Sequence, residues 1–289
     1  MTRAYCTGTV VKRTPRRAKV RLRGFLISAL MMVATASSAL ADDNDLRPLC
    51  PDRPGKGTSP CTVDATHWQV EVDGFDATLD HHDGVTRDAY VVFAPTIKYG
   101  VTPSVDIEAS FAPFNWSYTR SDASSRVENG IGDLFLRTKW NFLGAESGPL
   151  TAIVEPFVKV PTASHEFGDG AVEEGIVVPL AYDLGQNWSL SSTPEIDLLK
   201  NSAGAGRHVN LVDVIALGKG FEDGIALSTE LWVDQNQDPK SEAMQSSFDI
   251  DISWQPKFDG GLQFDGGINF GLNSRTPGLE IYTGISRRF

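Results

Sequence analysis

The sequence predicts an all-β protein, a transmembrane antiparallel up-and-down β-barrel of about 12 strands that follows a cleaved signal peptide. Three observations predict this fold: a secretory signal, repeated runs of about ten residues with a period of two, and connections that alternate in length. A period of two is that of side chains along a β-strand. An even number of such strands is typical of outer-membrane barrels. No segment after the signal has the roughly 20 consecutive apolar residues of a membrane helix.

Residues 1–41 are predicted to be the signal peptide. Eight Lys and Arg residues and no acidic residue precede Ala41, the apolar run GFLISALMMVATA covers 24–36, and SSALA supplies small residues at the cleavage site. The apolar run is too short for a membrane anchor. Cleavage leaves 18 basic residues against 37 acidic ones, a net charge of −19. That charge disfavours binding to nucleic acid and to anionic lipid headgroups.

Two cysteines remain after cleavage, and they divide the mature chain. Cys50 and Cys61 flank the short loop PDRPGKGTSP, and in an oxidising compartment they are expected to form a disulfide. A metal or redox pair would favour C-x-x-C spacing. We therefore predict a periplasmic N-terminal segment at 42–66 and a barrel at 67–289. The segment either plugs the periplasmic mouth of the barrel or hangs below it.

Twelve strands account for the body of the chain. Two changes of register, near Gly74 and Pro113, are expected to be bulges, and the strands at 88–99 and 209–219 fit the alternation poorly. The predicted strands are 67–79, 88–99, 105–117, 132–143, 149–160, 174–184, 188–199, 209–219, 224–234, 246–256, 262–272 and 279–289. Their connections alternate between short ones, such as 100–104, and mostly longer ones, such as 80–87 and 118–131.

Both ends of a barrel with an even strand count lie on the side of the short turns, the periplasm. The last strand, LEIYTGISRRF, is expected to close on the first, and Phe289 to serve as the signal for the barrel-assembly machinery. Arg287 departs from the more usual apolar residue of such a signal. Tryptophans near strand ends suit aromatic girdles; they are Trp68, Trp116, Trp140, Trp188, Trp232 and Trp254.

Four motifs carry a resemblance to a known family: DRPGKGTSPCTVDATHWQVEVD, GIGDLFLRTKWNFLG, EPFVKVPTA and the final GISRRF. Over roughly 52–289 the chain resembles the outer-membrane transporter family of the meta-pathway phenol-degradation type. The resemblance implies a barrel in the outer membrane that moves small molecules, aromatic or apolar compounds among them. It carries over no substrate-binding residues.

A twelve-stranded barrel lies between a filled barrel and an open pore, so a narrow or partly occluded channel is expected. Rings of acidic side chains favour cations, although the same acids could merely keep a wet lumen soluble. The strand phases predict inward-facing acidic residues and four cations, Arg137, Lys139, Lys159 and Lys219. The acidic candidates are Asp106, Glu108, Asp133, Glu155, Glu195, Asp197, Asp213, Glu230, Asp249, Asp251 and Asp265.

The predicted function is passive uptake or efflux of small molecules through the outer membrane of a Gram-negative bacterium. No enzyme activity, cofactor or metal is expected; the expected partners are outer-membrane lipid, the barrel-assembly machinery and a small-molecule cargo, with no nucleic acid. The oligomeric state is not indicated. One alternative is a barrel hydrolase, which would need a histidine beside a nucleophile. Another is a secreted soluble β-sandwich with a binding function.

Overall fold

The computed structural model describes residues 46–144 and 148–289, so the predicted signal peptide at 1–41 lies outside the described residues. Twelve barrel strands are present, four of them interrupted once. They are β1 (Trp68–His82), β2 (Val85–Thr102), β3 (Val105–Ser110 and Phe114–Ser121), β4 (Ser124–Gly130 and Leu134–Leu143), β5 (Leu150–Val160), β6 (Glu173–Val177 and Leu180–Gly185), β7 (Trp188–Ser192 and Glu195–Lys200), β8 (Arg207–Gly220), β9 (Ile225–Asn236), β10 (Ala243–Trp254), β11 (Leu262–Gly271) and β12 (Leu279–Arg288). Each predicted strand overlaps one of them, which confirms the predicted count.

Each strand pairs antiparallel with its sequence neighbours, and β1 also pairs with β12, which closes the barrel. The closing register runs from Gln69 opposite Arg288 to Leu79 opposite Leu279. Trp68 and Phe289 exchange backbone hydrogen bonds of 3.1 and 2.8 Å beyond that register. We call the end of the barrel that holds these two residues the terminal end and the opposite one the distal end. The predicted closure of the last strand on the first is confirmed.

Polar side chains face the inside of the barrel and apolar ones face outward. In β10, Asp249 and Asp251 are fully buried, whereas Ile250 and Ile252 are about half exposed. In β3, Ile107 is exposed between the buried Asp106 and Glu108. A soluble sandwich buries its apolar face, so this inverted pattern excludes the sandwich and is that of a barrel in the outer membrane.

The wall is bent at the predicted irregularities and at two further places. At Gly74 the register of β1 shifts, opposite Phe93 with a positive φ of 55°. β3 is interrupted next to Pro113, as expected. β6 and β7 break at Pro179 and Pro194, because proline has no N–H to give to a ladder. The carbonyls of both prolines still accept backbone hydrogen bonds, of 3.0 and 2.9 Å, so the wall stays continuous.

Two predicted distal loops are wrong. The segments 80–87 and 118–131 are continuations of the strands, closed by turns at 83–84 and 122–123. Asp83 and Gly84 have φ values of 53° and 73°, as the two-residue hairpin turn requires. The apolar face that marks a membrane strand ends in these segments while the backbone ladder continues, so alternation alone ends the strand too early.

The remaining distal connections are loops, at 161–172, 201–206, 237–242 and 272–278. In the part of the chain that the structure covers, no helix has the length and hydropathy to cross a membrane. Glu222–Gly224 is a single 3₁₀ turn between β8 and β9.

Candidate functional site

The chain before β1 runs back into the lumen. The backbone N–H of Val63 donates to Asp106 Oδ2 at 2.8 Å, and that of Thr58 donates to Thr193 Oγ1 at 3.3 Å, on a different part of the wall. Ala65 forms a bridge with Gly100 at the terminal end. The described part of the segment at 42–66 therefore lies inside the barrel and does not hang below it.

Cys50 and Cys61 form the predicted disulfide, which is confirmed. We call residues Cys50–Cys61 the plug loop. Its shape is fixed internally as well, because the backbone N–H of Ser59 donates to Asp52 Oδ1 at 2.9 Å. Three ionised side chains, Asp52, Arg53 and Lys56, leave this cross-linked loop towards different parts of the wall.

Asp52 lies between two buried lysines. Its carboxylate pairs with Lys98 of β2 and Lys139 of β4. Lys98 also contacts Glu71 at 2.6 Å, and both lysines lie 3.5–3.6 Å from Glu108. Burial raises the pKa of the Asp52 carboxyl, but Lys139 and Lys98 outweigh burial and hold that pKa below its usual range. Asp52 is therefore an anion in a cationic cradle.

Arg53 lies against a neighbouring part of the wall. Its guanidinium pairs with Asp73 of β1 and, at 2.8 Å, with Asp265 of β11. Its centre also lies 5.9 Å from the ring of Tyr282. Gly284 of β12 faces the guanidinium so closely that a Cβ there would overlap it. Glycine at 284 is thus what gives the arginine room.

Lys56 enters a third cradle, formed by β9, β10 and β12. Its Nζ lies 2.9 Å from Asp249 Oδ2, 3.2 Å from Ser247 Oγ and 3.6 Å from Glu280 Oε2. The ring of Trp232 lies 5.3 Å away. The backbone N–H of Lys56 also donates to Glu230 at 2.8 Å. The three cradles together hold the plug loop across the lumen.

A separate ion-pair group lies towards the distal end. Lys159 of β5 contacts Glu173 at 2.6 Å, Asp169 at 2.7 Å and Asp133 at 3.6 Å. Lys200 donates to the carbonyl of Asp169 at 2.6 Å. Because Asp169 belongs to the connection 161–172, these contacts hold that loop against the inner wall.

One acidic patch of the lumen has no cationic partner among the described residues. It comprises Glu195 and Asp197 of β7 and Asp234 of β9. Asn210 lies fully buried beside them and donates to Asp197 Oδ2 at 3.2 Å. Carboxyl groups therefore outnumber cationic groups on this part of the described wall.

The structure places all but two of the predicted lumen residues on the inward face. Glu108, Arg137, Lys139 and Glu155 form one continuous network, with Arg137 3.3 Å from Glu155. Asp106 is also buried on the inward face, where it accepts a hydrogen bond from the backbone N–H of Val63. The other inward-facing predictions are Asp133, Lys159, Glu195, Asp197, Glu230, Asp249, Asp251 and Asp265.

The predicted inward position of Asp213 is wrong. In β8 the buried phase contains Val212, Val214 and Ala216, whereas Asp213 shares the outward phase of the exposed Ile215. Lys219 shares that outward phase. The middle of the inner face of β8 is apolar and lies near the plug loop: Val214 Cγ1 is 3.6 Å from the position that a Cβ on Gly57 would occupy. Both faces of this strand are largely apolar, so alternation could not determine the phase.

Five of the six tryptophans fall into two groups. Trp68, Trp140, Trp188 and Trp254 are exposed on the outside near the terminal end, where an aromatic girdle is expected. Trp232 is different, because it shares the inward phase of Glu230 and Asp234 and faces Lys56.

Sequence reasoning missed the residues that matter most here: Asp52, Arg53, Lys56 and their partner Lys98. A signal was present, because the loop between the cysteines carries three charges within five residues, DRPGK. Charges in a loop ordinarily face water, so nothing in the pattern indicated a partner on the barrel wall.

Comparisons with solved structures agree with this architecture. The chain is similar to the COG4313 outer membrane channel from Pseudomonas putida F1, with a TM-score of 0.63, 14% identity and coverage of 82% of this chain and 99% of that one. The NanC porin is similar with a TM-score of 0.47 and 8% identity, over 76% of this chain and 98% of that one. The KdgM porin in complex with disordered oligogalacturonate has a TM-score of 0.46 and 8% identity, over 78% of this chain and 99% of that one. No curated protein matches. A family model matches residues 51–289, and the chain belongs to that family, described as "Putative MetA-pathway of phenol degradation".

Proposed function

We propose that this protein is an outer-membrane channel for the passive passage of small molecules, closed at rest by its own plug loop. A closed barrel with a polar inside and an apolar outside is suited to a water-filled path. The similar barrel from Pseudomonas putida F1 is an outer membrane channel. The proposal gives this chain no catalytic role.

The observation that carries the proposal is the set of three cradles. Asp52 pairs with β2 and β4, Arg53 with β1 and β11, and Lys56 with β10 and β12. These six strands lie around much of the circumference of the barrel, so the loop reaches across the lumen. Passage therefore requires the plug loop to shift, and the cost of breaking its ion pairs controls how often the channel opens.

The lumen supports a preference for cations. Apart from the paired residues, Glu195, Asp197 and Asp234 add negative charge to the path. Acidic rings in a channel favour cations over anions. The family description supports a cargo that includes aromatic compounds.

Two partners follow from the fold. The outward apolar side chains contact outer-membrane lipid. We propose that the barrel-assembly machinery recognises the last strand through Phe289, which pairs with Trp68 at the closing seam.

A hydrolase is less well supported. His81 pairs with Asp88 and His208 with Asn201, at 2.9 and 3.0 Å, while His67 contacts the carbonyl of Ala65. These partners are a carboxylate, a side-chain amide and a backbone carbonyl, whereas a hydrolase needs a nucleophile beside its base.

The test is single-channel recording of the refolded mature protein in a planar bilayer under a salt gradient. We expect small or rare openings from the native protein. The variant Asp52→Asn with Arg53→Gln, which weakens two cradles, should open far more often, with a cation-biased reversal potential.

Arg126→Gln is the matched control, because Arg126 is an exposed arginine on β4 whose ion-pair partners are Glu128 and Glu166 and not residues of the plug loop. It should record like the native protein. A change in electrophoretic mobility on heating verifies that each sample is a folded barrel. If the folded plug variant conducts no more than the native protein, the proposed closure is wrong.

A further inference from the structure

We infer that the Lys56 cradle is a receptor for a primary ammonium group of the cargo, and that Lys56 occupies it at rest as a built-in competitor. This inference rests on the proposed channel function and adds a substrate class to it: small molecules that carry an alkylammonium group. Opening would then begin when such a cargo takes the place of Lys56.

The chemistry of the cradle matches an ammonium group. A protonated primary amine has three N–H donors and no acceptor. Around Lys56 Nζ, Asp249 Oδ2, Ser247 Oγ and Glu280 Oε2 lie at 2.9, 3.2 and 3.6 Å. The face of Trp232, 5.3 Å away, adds a cation–π contact. Two carboxylates, a hydroxyl and an aromatic face thus converge on one small cation.

A second observation indicates that the cradle can accept more hydrogen bonds than Lys56 donates. Asp249 is completely buried, and its other carboxylate oxygen, Oδ1, has no hydrogen-bond partner in the structure. A buried carboxylate oxygen without a donor is costly. A cargo ammonium that approaches from a slightly different direction than Lys56 could donate to both oxygens, which a lysine held by its own backbone cannot do.

The cradle can be reached without removing the whole plug loop. The side chains of Lys56 and Glu280 are 20% and 22% exposed. Glu280 is the second residue of β12, next to the distal connection 272–278. A molecule that enters from the distal end therefore meets this cradle before the deeper cradles of Arg53 and Asp52.

Replacement of Lys56 would weaken the loop from one side. Its backbone N–H donates to Glu230, and Gly55 lies directly against that carboxylate. Once a cargo cation holds Asp249 and Glu280, the plug loop loses the ion pairs of the Lys56 side chain, whereas the cradles of Asp52 and Arg53 remain. Cargo binding and plug release are thus coupled through one shared site.

The test is isothermal titration of the refolded full-length mature barrel with n-butylammonium chloride, with butanol as the neutral probe. In Lys56→Met the competitor is removed, and we expect n-butylammonium to bind at least tenfold more tightly than to the native protein. Adding Asp249→Asn to Lys56→Met should abolish that gain. Butanol should bind all three proteins equally.

Lys219→Met is the matched control. Lys219 also lies over a tryptophan, 5.0 Å from the ring of Trp188, but outside the lumen, so its loss should leave n-butylammonium affinity unchanged. If the variant with Asp249→Asn does not fold, Glu280→Gln in the Lys56→Met background replaces it and should lower the affinity at least threefold.

Two results would overturn the inference: a folded Lys56→Met barrel with no gain in n-butylammonium affinity, or an equal gain for butanol. Conductance separates this failure from that of the channel proposal. If Lys56→Met opens more often but binds no ammonium, only the receptor is refuted. If every folded plug variant is silent in the bilayer, the channel is refuted, and the titration still decides on the receptor.

Discussion

Loss of the disulfide should unlock the plug loop, and the structure gives the size of the effect. Cys50 and Cys61 are eleven positions apart, so the bond closes a ring of about 12 residues. Cross-linking such a ring removes conformational entropy from the released loop worth about 2.8 kcal/mol at 25 °C. In Cys50→Ser with Cys61→Ser, the released loop regains that entropy, while all three ion-pair cradles remain available to the docked loop.

An energy of about 2.8 kcal/mol corresponds to roughly a 100-fold change in an equilibrium constant. We therefore expect the ratio of open to closed time in single-channel recordings to rise by up to about 100-fold in the double variant. Treatment of the native protein with a dithiol reductant should produce the same rise, and the double variant should not respond to the reductant.

The reasoning would be refuted if the folded double variant opened no more than about threefold more often than the native protein. That result would mean that the barrel wall alone determines the loop conformation. A reductant effect that persisted in the double variant would show that reduction acts elsewhere, because the mature chain predicted from the sequence has no other cysteine.

Three further outcomes are expected. Lys139→Met removes the cation buried beside Asp52 and should lower the free energy of unfolding by about 3–5 kcal/mol. The loss should appear as a lower midpoint temperature of the heat-induced mobility shift. Asp213→Leu should raise that midpoint through a gain of about 1 kcal/mol, since a charge facing lipid is unfavourable, and should leave ion selectivity unchanged. Hydrogen bonds from the backbone of Ser202 and Lys240 lower the pKa of Asp238 to about 2, so loop 201–206 should lose protection from hydrogen exchange only as the pH falls from about 4 towards 2.

Each of these outcomes has a clear opposite. An unchanged midpoint in Lys139→Met would mean that water already solvates the carboxylate of Asp52. Reduced cation selectivity in Asp213→Leu would place that residue in the lumen after all. For Asp238 the sign follows from the lowered pKa: the folded carboxyl binds its proton more weakly than the unfolded one, so its contribution to stability is full above about pH 4. Loss of protection on raising the pH would contradict it.

The barrel could be predicted from the sequence because its rule is local. In β10, Phe248, Asp249, Ile250, Asp251 and Ile252 alternate without exception, and one face must meet lipid. Alternation failed to predict the structure where the two faces of a strand do not differ in polarity. In the middle of β8 the inward residues Val212, Val214 and Ala216 are as apolar as the outward ones. Beyond the membrane, the hairpin around Asp83 keeps its ladder without an apolar face.

The plug loop could not be predicted beyond its disulfide, because its partners are set by the closed barrel. Arg53 and Asp265 are 212 positions apart in the sequence. No periodicity connects residues at that separation. Only the ring of strands brings Asp73 and Asp265 to the same guanidinium.

The same separations fix an order of events during assembly. The plug loop precedes β1, yet the cradles of Arg53 and Lys56 contain residues of β10, β11 and β12. A partly assembled barrel without its last strands has nowhere to seat those two side chains, and contacts so distant in sequence form late. The segment that precedes β1 is therefore expected to dock last, because the plug loop can occupy all three cradles only in a complete barrel.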